Sequence, residues 1–450
     1  MSNNLELLTD NPLKWENDEE KYYKLDGLKF KEYTEVLTEA IQYTKTPFTV
    51  GIYGEWGKGK TSFLEMIKYQ IDKEEPTDKT YLTVWFNAWK YEKDNDPIVS
   101  LLTVINEALE NDKNFGEKLK EKLGEGTKSI IKKTSTYLKH TILTSSNIKM
   151  KLGGKGASVT NSIDLNKAYL QAKAELEKDS NKDILNELIN DNSYIKVFEY
   201  LKELETIILE KNIHVVVFID DMDRCIPQNA ISLLESIKLI LDLKGFTFVM
   251  GIANDVIEGH LKHRYENDFG IKDGNHGKSY LEKIIQLPFT LPKFSKKVEN
   301  LVDNLFAKID NGEDIDNVKE VINAVSSHSK ITPRQLVRII NQAKIHAQID
   351  KKFNNENKED MFALFTFTLL FENLYENEYK ILSVQTQNVL NKIFDKKDED
   401  ALTGIDKQMK KEISKDSFEY IQSLLNDNKN ESFIYLLKTS TAKKWLSNED

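Results

Sequence analysis

Gly54-Glu-Trp-Gly-Lys-Gly-Lys60-Thr61 fits G-x-x-x-x-G-K-[ST] at every fixed position. Glycines at those places let the backbone curl so that successive N–H groups point at phosphate oxygens, and the N-terminus of the following helix adds its partial positive charge. Lys60 is then placed for the β- and γ-phosphates, and the Thr61 hydroxyl for Mg²⁺. The residues expected to bind nucleotide are Gly54, Glu55, Trp56, Gly57, Lys58, Gly59, Lys60, Thr61 and Ser62.

Such a loop needs a carboxylate on a neighbouring strand to help hold the metal. Val215-Val-Val-Phe-Ile219 is apolar throughout, β-branched at four of its five positions, and ends in Asp220-Asp221. Asp220, at the strand tip, is the metal-side carboxylate, beside Thr61. Asp221, one step into the turn, is the candidate base for the attacking water, and Asp223 is the alternative for that role. Asn254, after the apolar run Phe246–Ile252, fits either a hydrogen bond to the γ-phosphate or its water, or a helix N-cap. The chain carries only four arginines, Arg224, Arg264, Arg334 and Arg338, against 59 lysines, so each is a candidate for work that needs a planar, permanently charged group. Arg224 follows the acid cluster, either to pair with Asp221 or to reach a neighbouring subunit's nucleotide. Arg334 and Arg338 lie at i and i+4 after Thr332-Pro333, where Arg334 could sense the γ-phosphate from a lid helix; for Arg338 a structural salt bridge is the preferred reading. Phe86-Asn87-Ala88-Trp89-Lys90-Tyr91 has no chemistry that spacing alone assigns, and its aromatics read as core.

The elements that must position these residues follow from apolar periodicity. Runs at Phe48–Tyr53, Tyr81–Phe86, Ile213–Ile219, Phe246–Ile252 and Ile285–Thr290 read as strands. Between them lie helical patterns: one after the Gly-rich loop, one after Pro97, one with Ile231, Leu234, Ile237 and Leu241, and one around Val256–Tyr265. Leu28, Tyr33, Val36, Leu37 and Ile41 mark a helix ahead of the first strand. Continuous apolar strands alternating with helices are what a parallel sheet covered on both faces requires. The fold class is therefore α/β, with a helical insertion at about 110–210 and a C-terminal helical domain. The expected domains are 1–46, an N-terminal segment packing on the core; 47–292, the nucleotide-binding domain with its insertion; and 293–450, a lid and interaction domain. Ser295, Thr332 and Asp416 are its candidate N-caps.

Composition narrows the function classes. The 450 residues carry a formal charge of −10 with a single cysteine, Cys225. That excludes a disulfide scaffold and a multi-Cys zinc site, and predicts a reducing compartment, hence the cytoplasm. The opening residues 1–20 have neither a basic nor an apolar stretch, so no secretory leader is expected. No apolar run approaches the roughly 20 residues that span a bilayer. An acidic whole argues against a surface devoted to nucleic acid, but residues 126–163 hold seven lysines and no acid. Such a stretch can lie on an anionic membrane, follow a nucleic-acid backbone, or simply be solvated.

Taken together, Gly54–Thr61, Phe86-Asn-Ala-Trp89-Lys-Tyr91, Ile219-Asp-Asp221-Met-Asp223-Arg224-Cys225, Tyr280-Leu-Glu-Lys283-Ile-Ile-Gln286 and Thr332-Pro-Arg334 resemble the KAP family of P-loop NTPases over roughly residues 10–345, in a bacterial, soluble form. The resemblance implies an ASCE-type sheet, with the Asn254 strand between the nucleotide strand and the Asp220 strand. It also implies ATP with Mg²⁺, hydrolysis, homo-oligomers, and in bacteria an association with mobile elements and phage exclusion. Many members of that family carry paired transmembrane helices where this chain has its lysine-rich segment.

Three functions fit. One is an oligomeric ATPase of an anti-phage or mobile-element defence system, with Arg224, Arg264 or Lys283 reaching an adjacent subunit. Another is a nucleotide-gated scaffold or switch with slow turnover that controls a separate effector protein. The third is a translocase stimulated by nucleic acid through residues 126–163. No nuclease, deaminase or protease constellation follows residue 345, which favours an effector supplied by a partner.

Overall fold

Every strand of the sheet pairs in parallel, in the order β2-β3-β4-β1-β5. The computed structural model describes residues 7–12, 26–73, 80–92, 97–111, 202–269 with interruptions, 280–292, 298–306, parts of 318–322, 331–353 and parts of 361–376. The strands are β1 (Phe48–Tyr53), β2 (Thr80–Asn87), β3 (Ile213–Asp220), β4 (Phe246–Ile252) and β5 (Leu287–Thr290). As expected, β4 separates the nucleotide strand β1 from the acid strand β3. Central position explains composition: every residue of β3 and β4 is buried, which only a strand covered on both faces tolerates. Among the described strands β5 is an edge, with alternating burial and Pro288 inside it, a residue that a strand with a single ladder accommodates. It begins two residues later than the apolar run suggested, because Ile284 and Ile285 are buried in the turn that precedes it.

Helix α1 (Lys31–Tyr43) leads into β1, and α2 (Lys60–Lys73) follows the Gly-rich loop. Of the apolar positions read from the sequence, Leu37 and Ile41 lie on the buried face of α1 and the other three do not. Leu28 precedes the helix, Val36 is 66% exposed and Tyr33 38%. The buried face is Thr34, Leu37, Thr38, Ile41 and Gln42. Its threonines bury because α2 supplies partners: the Thr38 hydroxyl donates to Gln70 Oε1 at 2.9 Å, and Gln70 Nε2 donates to Thr34 Oγ1 at 3.0 Å. Buried polar groups are tolerated when they are satisfied in this way, and hydrophobicity alone does not reveal it. Helix α3 (Pro97–Asn111) packs on β2, and α4 (Asn254–Phe269) leaves β4. Leu101, Ile105, Leu204, Ile208, Ile231, Leu234 and Ile237 join the strand residues in one core.

The chain divides into two compact units, Lys31–Leu291 and a second made of Met1–Phe30 with Pro292–Asp450. Helix α1 thus belongs with the sheet. The second unit contains α5 (Val298–Phe306), α6 (Pro333–Phe353) and α7 (Met361–Leu374). Thr332 caps α6 as expected: its backbone N–H donates to Gln335 Oε1 at 2.9 Å and Gln335 N–H returns to Thr332 Oγ1 at 3.3 Å, a capping box with Pro333 at the first helical position. Ser295, Asp416 and the lysine-rich 126–163 lie outside the described residues, as does most of the expected insertion at 110–210. Among the described residues, no helix is long and apolar enough to cross a membrane.

Candidate functional site

The loop between β1 and α2 turns through two glycines in the left-handed region, Gly57 at φ 85° and Gly59 at φ 94°. L side chains rarely adopt that conformation, so these glycines fix the curl of the loop. Gly54 N–H donates to Ile252 O at 3.1 Å, anchoring the loop to the end of β4. Lys60 and Thr61 open α2, Lys60 being buried despite its charge. Its ammonium donates to Gly54 O at 2.9 Å and Glu55 O at 3.3 Å, and lies 3.6 Å from Asp223 Oδ2. At the mouth of the loop Lys58 pairs with Glu55 at 2.9 Å, and Trp56 is 60% exposed.

Asp220 ends β3 with 2% of its surface exposed, and the Thr61 hydroxyl donates to its Oδ2 at 2.7 Å. Hydroxyl and carboxylate are thus brought together from positions 159 residues apart. Burial pushes the Asp220 carboxyl up from its ordinary value; the Thr61 hydrogen bond opposes this, and the charges of Asp221 and Asp223 add to it. Burial likewise draws Lys60 down against the pull of Asp223 and Asp220. A buried carboxylate that lacks full countercharge beside a hydroxyl is a donor pair for a hard divalent cation, which would provide that charge. No group of three or more His, Cys, Asp and Glu could hold a metal among the described residues.

Asp221 lies just past the strand tip in the left-handed conformation at φ 59°, which aspartate tolerates better than most residues. Its carboxylate is gripped from both sides. Arg224 Nε reaches Oδ1 at 2.7 Å, and Asn87 Nδ2 donates to Oδ2 at 2.8 Å. Arg224 also lies over the Trp89 ring, 5.5 Å from its centroid, a cation–π contact on an indole that is 52% exposed. Of the two roles open to Arg224, this structure shows the pairing with Asp221. Cys225 follows, its thiol pushed up to about 12 by burial, with the Glu92, Asp221 and Asp223 charges adding, so it is a poor nucleophile.

Asn254 is half-buried at the first position of α4, past the tip of β4. Arg334 and Arg338 open α6 in the second unit, where both face Asp10, Arg334 Nε at 3.1 Å and Arg338 at 3.8 Å from Oδ2. The salt bridge expected of Arg338 is present, and Arg334 shares it.

The sequence reading missed three contributors. Asn87 belongs to the Phe86–Tyr91 motif, whose aromatics read as core from the sequence although Trp89 is exposed. Glu92 bolts the turn after β2 to the turn after β3: its side chain accepts from Ile226 N–H, and its backbone O accepts from Asn229 Nδ2 at 2.8 Å. Gly251 clears room for the Asp220 carboxylate, since a Cβ there would stand 3.0 Å from Asp220 Oδ1 and 3.1 Å from Leu64 Cδ1. An Asn at a strand end, with Lys90 three residues on, was the available signal for the first. The other two are visible only across strands.

Known proteins give the following picture. A family model described as the KAP family P-loop domain matches residues 30–349. An uncharacterized protein of Methanocaldococcus jannaschii is 30% identical over 182 residues, 39% of this chain and 90% of that one. The phage T7 exclusion protein of Escherichia coli is 22% identical over 312 residues, 65% of this chain; the chain spans only 37% of that protein's length. Among solved structures, the Aeropyrum pernix ORC1 protein in complex with DNA aligns over 86% of this chain and 74% of that one, at 12% identity and TM-score 0.36. The Walker-type ATPase of Pyrococcus abyssi aligns over 82% and 79%, at 12% identity and TM-score 0.35.

Proposed function

Because the chain belongs to the KAP family of P-loop NTPases, we propose that it binds ATP with Mg²⁺ and hydrolyses it to ADP and phosphate. The observation that carries this reading is the convergence of Lys60, Thr61 and Asp220 at the tips of adjacent elements, with Thr61 and Asp220 at 2.7 Å. Mg²⁺ bound at Thr61 and Asp220 would neutralise charge on the phosphate oxygens. Lys60 would hold the β- and γ-phosphates, leaving its present backbone carbonyls for stronger charge-assisted bonds. Asp221 would orient the attacking water and take its proton as the water oxygen bonds to the γ-phosphorus and the bond to the bridging oxygen breaks.

We place this activity in the cytoplasm, in a homo-oligomer of a bacterial defence system whose effector is a separate protein. Similarity to a phage exclusion protein supports that setting. A slow nucleotide-gated switch that controls a separate effector is the competing use of the same site. Turnover separates them.

The experiment measures ATP affinity and hydrolysis per subunit over a protein concentration series, with and without DNA. Lys60→Ala should lose affinity by roughly 100-fold or more, as expected for a phosphate-binding lysine, whereas Asp221→Asn should bind ATP and trap it. Unchanged affinity in Lys60→Ala would refute the site. A rate per subunit that rises with concentration supports an oligomeric ATPase. A negligible, concentration-independent rate with tight binding supports the switch, and stimulation by DNA with steep salt dependence supports translocation.

A further inference from the structure

We propose that Asn87 is a positioning residue for hydrolysis, fixing the Asp221 carboxylate through its side-chain amide. This rests on the reading of Asp221 as the base. The parallel register sets Asn87 opposite Asp220, so a side chain leaving the tip of β2 reaches the next residue of the acid strand, Asp221. The amide orientation is settled by its second contact: Asn87 Oδ1 accepts from Lys90 N–H at 3.0 Å, capping the short 3-10 turn Ala88–Tyr91. With the oxygen committed to the cap, the NH₂ must be the group that meets Asp221 Oδ2 at 2.8 Å. One side chain therefore joins the turn after β2 to the carboxylate after β3, and Glu92 ties the same two turns together a few residues further on.

Asp221 needs such support. It sits in a left-handed conformation one residue beyond the ladder, where no strand hydrogen bond holds it. Asn87 on one oxygen and Arg224 on the other fix the plane of the carboxylate. Each oxygen keeps a second lone-pair site, so the grip orients the group while leaving it free to accept from a water. Reactivity depends steeply on such orientation: a misplacement of about 1 Å costs on the order of 100-fold in rate.

The two jobs of the amide can be separated. Asn87→Asp keeps the cap acceptor and removes the donor, setting two carboxylates face to face. The expected result is a fall in kcat of roughly 10- to 100-fold, with KM and the affinity for a fluorescent ATP analogue within about threefold, and a lowered Tm. Combining it with Asp221→Asn rebuilds the hydrogen bond with reversed polarity. That double variant should recover the lost Tm without nucleotide present, while turnover stays absent. An Asn87→Asp protein with turnover within about twofold of wild type, affinity falling in step with kcat, or a double variant that fails to recover Tm would each overturn the proposal. Asp221→Asn measured alone tells the two readings apart. If it still turns over ATP, the base assignment has failed and this inference with it; if it is inactive while Asn87→Asp is not, only the inference has failed.

Discussion

Asp220 carries a conflict between stability and function. Its carboxyl is almost wholly buried, and burial raises its folded pKa above the unfolded value. For a group shifted in that direction, the favourable contribution is complete below the unfolded pKa and is lost as pH rises through the folded one. Above the ordinary carboxylate range the buried carboxyl therefore opposes folding. In the presence of a chelator, Asp220→Asn should melt higher than wild type at about pH 7.5, by roughly 1–3 °C for a chain of this size. The gap should close as pH falls toward the ordinary carboxylate range near about 4. The same variant should lose Mg²⁺-dependent turnover. A variant that melts lower at every pH would show that the Thr61 hydrogen bond outweighs the buried charge.

At the level of elements, the site is made by strand order. Placing β4 between β1 and β3 sets the Gly-rich loop and Asp220 on either side of one strand tip, and that strand must stay slim where they meet. Gly251 supplies the slimness. Gly251→Ala should push the Asp220 oxygen aside by a few tenths of an ångström. The expected outcome is a several-fold weaker Mg²⁺ dependence of hydrolysis and about 1 kcal/mol of lost stability, with nucleotide affinity in chelator unchanged. A Mg²⁺ titration of turnover set beside a denaturant melt measures both. An unshifted Mg²⁺ midpoint would mean that Asp220 does not hold the cation. β2 contributes at the same scale: its last residue, Asn87, turned an aromatic-rich motif that periodicity assigned to the core into one wall of the acid turn.

At the scale of the whole chain, the second unit has its own internal fastening. Residues near the start of the chain lie along α6, where Leu8 N–H donates to Asn341 Oδ1 at 2.8 Å and Asn341 Nδ2 returns to Leu8 O at 2.7 Å. Asp10 pairs with Arg334 close by. That ion pair is partly exposed, so it stabilises by less than about 1 kcal/mol. Asp10→Asn should leave turnover within about twofold of wild type. If Arg334 senses the γ-phosphate, Arg334→Ala should lower kcat by roughly tenfold or more. Equal, small effects from both variants, read by Tm and turnover together, would assign Arg334 to the fastening alone.

Sequence by itself determined the Gly-rich loop, the acid strand and the parallel sheet, because these depend on local signals: glycines at fixed offsets, apolar strands read as unbroken runs, and acids where a strand leaves the core. It also placed Thr332 and Pro333 at the head of a helix. It found Leu37 and Ile41 on the buried face of α1 but not the threonines beside them, which Gln70 on another helix satisfies, and it left Asn87 and Gly251 without a role. Only the tertiary structure decided those, since each acts on a residue of another element: Gln70 on the next helix for the threonines, and the end of the acid strand for Asn87 and Gly251. Such partners are set by register and strand order, and no local pattern encodes them.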